Sequence, residues 1–199
     1  MKKMVHITDN IMSLSAVVGA SLMLSPASAA TYPFGSKFKG DGTYYGDVSP
    51  SEGNCAIEHP IPSTYNGMIP MAISLHDMYD DSTICGACIE GTGTGKGAGK
   101  NPIKGKFKCF VSDSCEECAK GDLDFAKSGD GRSDIEWKFL ECPSGGNPSS
   151  IFEGSNGWYR KIQARETESP VTQVWVDGKK ATMTQDKFFT ASGGPFYGE

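Results

Sequence analysis

The segment Ile135-Glu136-Trp137-Lys138-Phe139-Leu140-Glu141 alternates apolar and charged side chains almost throughout. That period of two predicts a half-buried strand with Ile135, Trp137 and Phe139 turned to a core. Between Thr43 and Glu90 the apolar runs are short and broken by Gly and Pro, which reads as strands and loops of a closed β structure. An apolar strand through Phe110 and Val111 ends in a carboxylate, Asp113, and Leu123 to Lys127 is read as one short helical turn after it. Farther on, Val171 to Val176, Asp177-Gly178 and Lys179 to Thr184 predict a hairpin, because Asp-Gly supplies the positive-φ residues of a tight turn. Helix content is low.

The 199 residues are enough for two small domains. Residues 143–150, Pro-Ser-Gly-Gly-Asn-Pro-Ser-Ser, form the turn-rich boundary. Before it lies the region 31–142, which opens on turn formers with Phe34 and Phe38; after it, 151–199 forms a second β module.

Residues 1–29 carry Lys2 and Lys3, an apolar run from Ile11 to Leu24, and Ala27-Ser28-Ala29 in the small-x-small pattern of a signal-peptide cleavage site. The run is short for a membrane span, although a retained signal anchor is the alternative. The expectation is a secreted monomer with no membrane association once the signal is cleaved. Its removal leaves 17 basic against 23 acidic side chains, a net charge of −6 compared with −5 for the whole chain. Such a balance gives no global attraction for nucleic acid or acidic polymers, and favours a neutral polysaccharide as partner.

Export makes the seven cysteines candidates for disulfides, and an odd count leaves at least one unpaired or paired between chains. Two CxxC pairs also invite a zinc reading, but their separation and the oxidising compartment argue against it, so no metal or cofactor is expected. The Gly91-to-Gly97 segment lacks the Lys-Ser/Thr of a phosphate loop. With Lys100, Lys104, Lys106 and Lys108 it reads as a flexible, solvated loop that touches uronates weakly at most. His59 and His76 belong to no nucleophile motif.

Sugar hydrolysis ordinarily needs two carboxyl groups, one with a raised pKa. Asp124, between Leu123 and Phe125, sits where apolar neighbours desolvate a carboxylate. Thr43 and Tyr45 are alternate residues that line one face if the segment is a strand, leaving Tyr44 for the core. Asp113 closes a strand, a position that also suits turn capping.

Taken in order, Gly42-Thr43-Tyr44-Tyr45-Gly46, Cys85-Gly86-Ala87-Cys88 and the stretch from Phe110 through Asp113, Cys115, Cys118 and Asp124 to Phe125 resemble the first domain of microbial expansins. The resemblance implies an all-β fold: a six-stranded double-psi β-barrel related to family-45 glycoside hydrolases, then an immunoglobulin-like β-sandwich that binds cellulose. Asp124 matches the carboxylate that is the general acid in those hydrolases, and Asp113 a second one used beside it. Thr43-Tyr44-Tyr45-Gly46-Asp47 satisfies the hydrolases' base pattern literally, but expansins lack a working base and Asp47 reads better as a loop carboxylate. Cys115 stands where the family commonly has an aromatic or other polar groove residue. The implied disulfides are Cys55–Cys85 and Cys88–Cys142, with Cys115–Cys118 as a local clip and Cys109 left as a buried strand residue.

In the second module, Trp158 and Tyr159 match an aromatic pair on the cellulose-binding face, where a ring plane buries the apolar face of a sugar. Phe188 stands in for a third aromatic, Phe189 is core, and Trp175 is either another exposed aromatic or core. Similarity continues to Gly193-Gly194-Pro195-Phe196, short of the family's last strands, so the sandwich is expected to be incomplete. The implied function is non-hydrolytic loosening of plant cell-wall glucan. The alternatives are an inverting endo-β-1,4-glucanase with Asp124 as acid and Asp47 or Asp113 as base, a peptidoglycan-active lytic transglycosylase, and a non-catalytic barwin-like effector.

Overall fold

The computed structural model describes residues 35–58 and 60–196, together with two short backbone strands, β1 (Val5–His6) and β2 (Leu22–Leu24). The expected cleavage site at 27–29, Phe34 and His59 lie outside the described residues.

Six strands close into a barrel: β3 (Phe38–Tyr44), β4 (Ile69–Ser74), β5 (Cys88–Ala98), β6 (Lys104–Cys115), β7 (Leu123–Phe125) and β8 (Arg132–Leu140), in the order β3-β7-β4-β6-β5-β8. Strands β3 and β7 pair in parallel, as do β4 and β6, and the remaining neighbours are antiparallel. The architecture is the six-stranded barrel that the resemblance implies. Ile135, Trp137 and Phe139 point inward and are buried with Met71, Ile73, Cys109, Val111, Leu123 and Phe125. Trp137 satisfies its indole by donating Nε1 to the Gly121 carbonyl at 2.7 Å.

The helical turn expected at Leu123–Lys127 is corrected to a strand, β7. Leu123 and Phe125 are buried with Asp124 turned outward between them, a period of two. Strands β3 and β4 take up its backbone groups on either side.

Three disulfides are present: Cys55–Cys85, Cys88–Cys142 and Cys115–Cys118. Cys109 is free and fully buried, and burial pushes its thiol pKa up.

Beyond Cys142 come β9 (Ser149–Phe152), β10 (Tyr159–Arg165), β11 (Val174–Val176), β12 (Lys179–Lys180), β13 (Thr182–Met183) and β14 (Phe189–Ser192). They make one sheet of order β13-β14-β10-β9 and a second in which β11 pairs with β12 and with β2. Ile162, Val174, Val176, Ala181, Phe189, Ala191 and Phe196 from the two sheets share a smaller core. The hairpin turns at Asp177 and Gly178, with φ of 47° and 76°. β9 begins at Ser149, inside the 143–150 boundary stretch.

The second module fastens to the barrel through one face of β10, the turn before β14, where Ser82 donates to the Gln185 carbonyl, and the segment after β10. Gln163 donates to the carbonyls of Cys55 (3.4 Å) and Ala56 (2.8 Å) and accepts from the Glu58 amide at 3.2 Å. Arg165 donates to the Pro60 carbonyl, Lys187 to that of Thr83 (3.1 Å), and the Cys142 amide to Glu168 at 2.8 Å.

Candidate functional site: a carboxylate row across four strands

On the outer surface of the barrel, the strand register lines up Thr43 on β3, Asp124 on β7, Ala72 on β4 and Asp113 on β6. Residues directly opposite in a ladder face the same side. The two aspartates therefore flank the small Ala72, about two strand spacings (~9.6 Å) apart at the backbone.

A β-bulge creates that alignment. Met71 pairs with Val111 but Ala72 pairs with Asp113, so Ser112 is an extra residue in β6. Without it Asp113 would alternate inward; the inserted residue restores it to the face of Ala72 and Asp124. The bulge is held from both sides. The Cys55 amide bonds the Ser112 carbonyl at 3.2 Å, and the Gly86 amide that of Val111 at 2.9 Å. A Cβ on Gly53 would collide with the Ser112 carbonyl, so the loop reaches this close only as glycine.

Thr43 Oγ1 donates to Asp124 Oδ1 at 2.7 Å. Burial raises the Asp124 pKa and the Glu117 charge adds to the rise, while the Thr43 hydrogen bond and the Arg132 charge oppose it. Tyr45 lies beside Ser112, whose side chain favours its ionised form, and feels the charges of both Asp113 and Asp124; its pKa is raised, mainly by burial. Asp113 Oδ1 accepts from the Asn54 and Ser114 amides, both at 2.8 Å. The structure thus brings Thr43, Tyr45, Asp113 and Asp124 together.

Asp47 is otherwise engaged. Its carboxylate accepts from the Ser128 amide at 2.9 Å and from the Ser128 hydroxyl, and these bonds lower its pKa. It closes the loop after β3 onto the segment after β7. Tyr44 packs against the barrel core and donates its hydroxyl to the Asn101 carbonyl at 2.9 Å.

Several supporting groups escaped the sequence reading. Asp122 accepts from the amides of Asp41 (2.8 Å) and Ala119 (3.0 Å), which anchors the approach to β7. Arg132 pairs with Asp41 at 2.7 Å. The alternation Asp122-Leu123-Asp124-Phe125 was the available signal for that strand.

In the second module Trp158 is 66% exposed. Asn156 Oδ1 accepts from the Trp158 amide (2.8 Å) and the Tyr159 amide (3.0 Å), so the pair sits at a turn rather than mid-strand. Tyr159 is half-buried on the face of β10 that carries Gln163 and Arg165. Phe188 is corrected: at 1% exposure it is core, like Phe189, with Lys161 Nζ 4.3 Å from its ring centroid, and it offers no platform. Trp175, half-exposed between buried Val174 and Val176, lies on the other sheet. Among the described residues no group of three or more His, Cys, Asp or Glu side chains is placed to hold a metal.

A closed barrel with an outward carboxylate row, joined to a second β module with an exposed tryptophan, defines a two-module β protein. No protein-family model matches the chain. It is 31% identical over 185 residues to Expansin-YoaJ of Bacillus subtilis (strain 168), covering 85% of this chain and 74% of that protein. Two crystal structures of a Clavibacter michiganensis expansin are similar in fold at 19% identity, each covering 82% of both chains. One is an Asp-to-Asn variant in complex with cellohexaose (TM-score 0.62) and the other is the apo protein (TM-score 0.61). The chain belongs to the expansin family.

Proposed function

We propose that this protein is secreted, binds cellulose or a related plant cell-wall glucan, and loosens it without cutting it. Asp124, Thr43, Tyr45 and Asp113 form the glucan groove on the 31–142 module, and Trp158 with Tyr159 extends it on the 151–199 module. Residues 143–150 act as the connection, and Trp175 is a further carbohydrate contact on the second sheet.

The observation that carries the non-hydrolytic reading is the state of the companion carboxylates. Inversion needs a base free to activate water opposite the acid. Asp47 is held by Ser128 with a lowered pKa, which weakens it as a base. Asp113 has one oxygen taken by two backbone amides. Asp124 then serves as a hydrogen-bonding partner for glucan hydroxyls. Binding that favours a separated chain over a packed one shifts the polymer toward separation by its differential affinity. The cellohexaose bound by the Clavibacter expansin supports a β-glucan as ligand.

The test is release of reducing ends from amorphous cellulose by the secreted protein, beside an Asp124→Ala variant and a pull-down onto the same cellulose. Retention without release, lost in the variant, is expected. Release that disappears with Asp124 would overturn the non-hydrolytic reading and identify an inverting glucanase.

A further inference from the structure

A concavity of about 510 Å³ lies on the outside of the barrel over β6, β5 and β8, with Ile69 of β4 at its edge. It is lined by Lys37, Glu90, Lys106, Lys108, Glu136 and Lys138, among others. Lys37 pairs with Glu136 at 3.1 Å and Lys138 with Glu90 at 3.0 Å. That leaves Lys106 and Lys108 exposed and without an ion pair among the described residues. An acidic chain therefore concentrates two uncompensated cations in a hollow toward the opposite end of β6 from Asp113.

The register makes this a built surface rather than the flexible loop expected from sequence. Lys108 stands opposite Glu90, which stands opposite Lys138; Lys106 stands opposite Thr92, which stands opposite Glu136. Both free ammonium groups project from one strand face, ~6.7 Å apart along β6, so one extended polyanion meets both. Between them Thr92, Glu90 and Glu136 offer a hydroxyl and carboxylate oxygens, acceptors suited to sugar hydroxyls. A ligand that carries carboxylates and many hydroxyls fits this alternation better than an acidic peptide, which has carboxylates but few hydroxyls.

We infer that this hollow is a second polysaccharide site, selective for an acidic, uronate-bearing chain, with Lys106 and Lys108 as its carboxylate contacts. The inference does not depend on the glucan groove: the protein holds neutral polymer at the Asp113 end of β6 and acidic polymer toward its other end.

The test is retention on immobilised polygalacturonate and, separately, on amorphous cellulose, for the wild type, a Lys106→Gln/Lys108→Gln double variant, and a Lys96→Gln/Lys100→Gln control of equal charge. Wild-type retention on polygalacturonate is expected to be salt-sensitive and absent on the fully methyl-esterified polymer. The Lys106/Lys108 variant should lose about fivefold or more at low salt, with cellulose retention unchanged, while the control keeps both. Equal loss in the control would mean non-specific charge and overturn the site. So would an unaltered double variant, no wild-type retention, or equal retention on polyaspartate, which would point to acidic protein. Failure on cellulose alone would overturn the glucan reading and leave this one standing.

Discussion

Thr43 and Asp124 face each other across the parallel β3–β7 pair, joined by a 2.7 Å hydrogen bond. A donor aimed at a partly desolvated carboxyl favours its ionised form, while burial favours the neutral one. Here burial wins, and the pKa of Asp124 is raised.

A raised carboxyl pKa means that the folded state binds this proton more tightly than the unfolded chain. The contribution to stability is present in acid and is lost as pH rises through the folded pKa. Once ionised, Asp124 is a net penalty. Asp124→Asn should raise Tm by a few degrees at neutral pH and leave it unchanged at strongly acidic pH, while cellulose retention falls. A Tm that drops at pH 7 would contradict the burial argument. Thr43→Val should move the Asp124 titration still higher, read by carboxyl NMR.

The two aromatic substitutions Trp158→Ala and Phe188→Ala should separate binding from folding. Trp158 is exposed, so its loss should change stability by less than about 0.5 kcal/mol while weakening retention on cellulose. Phe188 is buried under Lys161, and its truncation should cost about 3–5 kcal/mol. Denaturant titration beside the pull-down distinguishes the pair.

Cys109 should not react with a thiol reagent in the native protein, because it is 0% exposed and its thiolate is disfavoured by burial. Unfolding without reductant should release one thiol per chain, the other six cysteines being paired. Cys109→Ala should destabilise by about 1–2 kcal/mol through the cavity it leaves.

Lys187 is 6% exposed at the junction of the two modules, and desolvation lowers its pKa to about 7 against the charge of Asp80. Between pH 7 and 10.5 the unfolded chain holds a proton that the folded one does not, so this group makes stability rise with pH across that window. Below pH 7 its penalty is complete. Lys187→Met should remove that slope from Tm measured between pH 7 and 9, and an equally steep profile in the variant would refute the assignment.

The strand at 135–140, the hairpin at Asp177-Gly178 and the barrel's order of motifs were legible because each is carried by a local period or turn chemistry. Asp124 was legible from its two apolar neighbours. The alignment of Asp113 with it was not, since it depends on the extra residue Ser112 in one ladder and on Gly53 and Cys55 packing across that bulge from a distant loop. Phe188 was misplaced for a related reason. Two adjacent aromatics suggest one buried and one exposed, but Phe188 precedes β14 at a left-handed residue, Lys187 with φ 61°, and the turn sends both rings inward. The lysines of β6 looked like a loop because Gly-rich spacing resembles disorder; register with β5 and β8 orders them.

Most of the contacts that join the modules pair a side chain with a backbone group. Gln163, Arg165 and Lys187 of the second module reach backbone atoms of Cys55, Ala56, Glu58, Pro60 and Thr83. A backbone partner is present whatever side chain the position carries. The loop carrying these partners is thus free to drift in sequence so long as it keeps its path, whereas the three long polar residues opposite it are not. Ser82 is where the demand reverses: its buried hydroxyl donates to the Gln185 carbonyl, so there the barrel must keep the side chain and the second module only its backbone. Another barrel would accept this second module unchanged only if it matched both the loop's path and that hydroxyl.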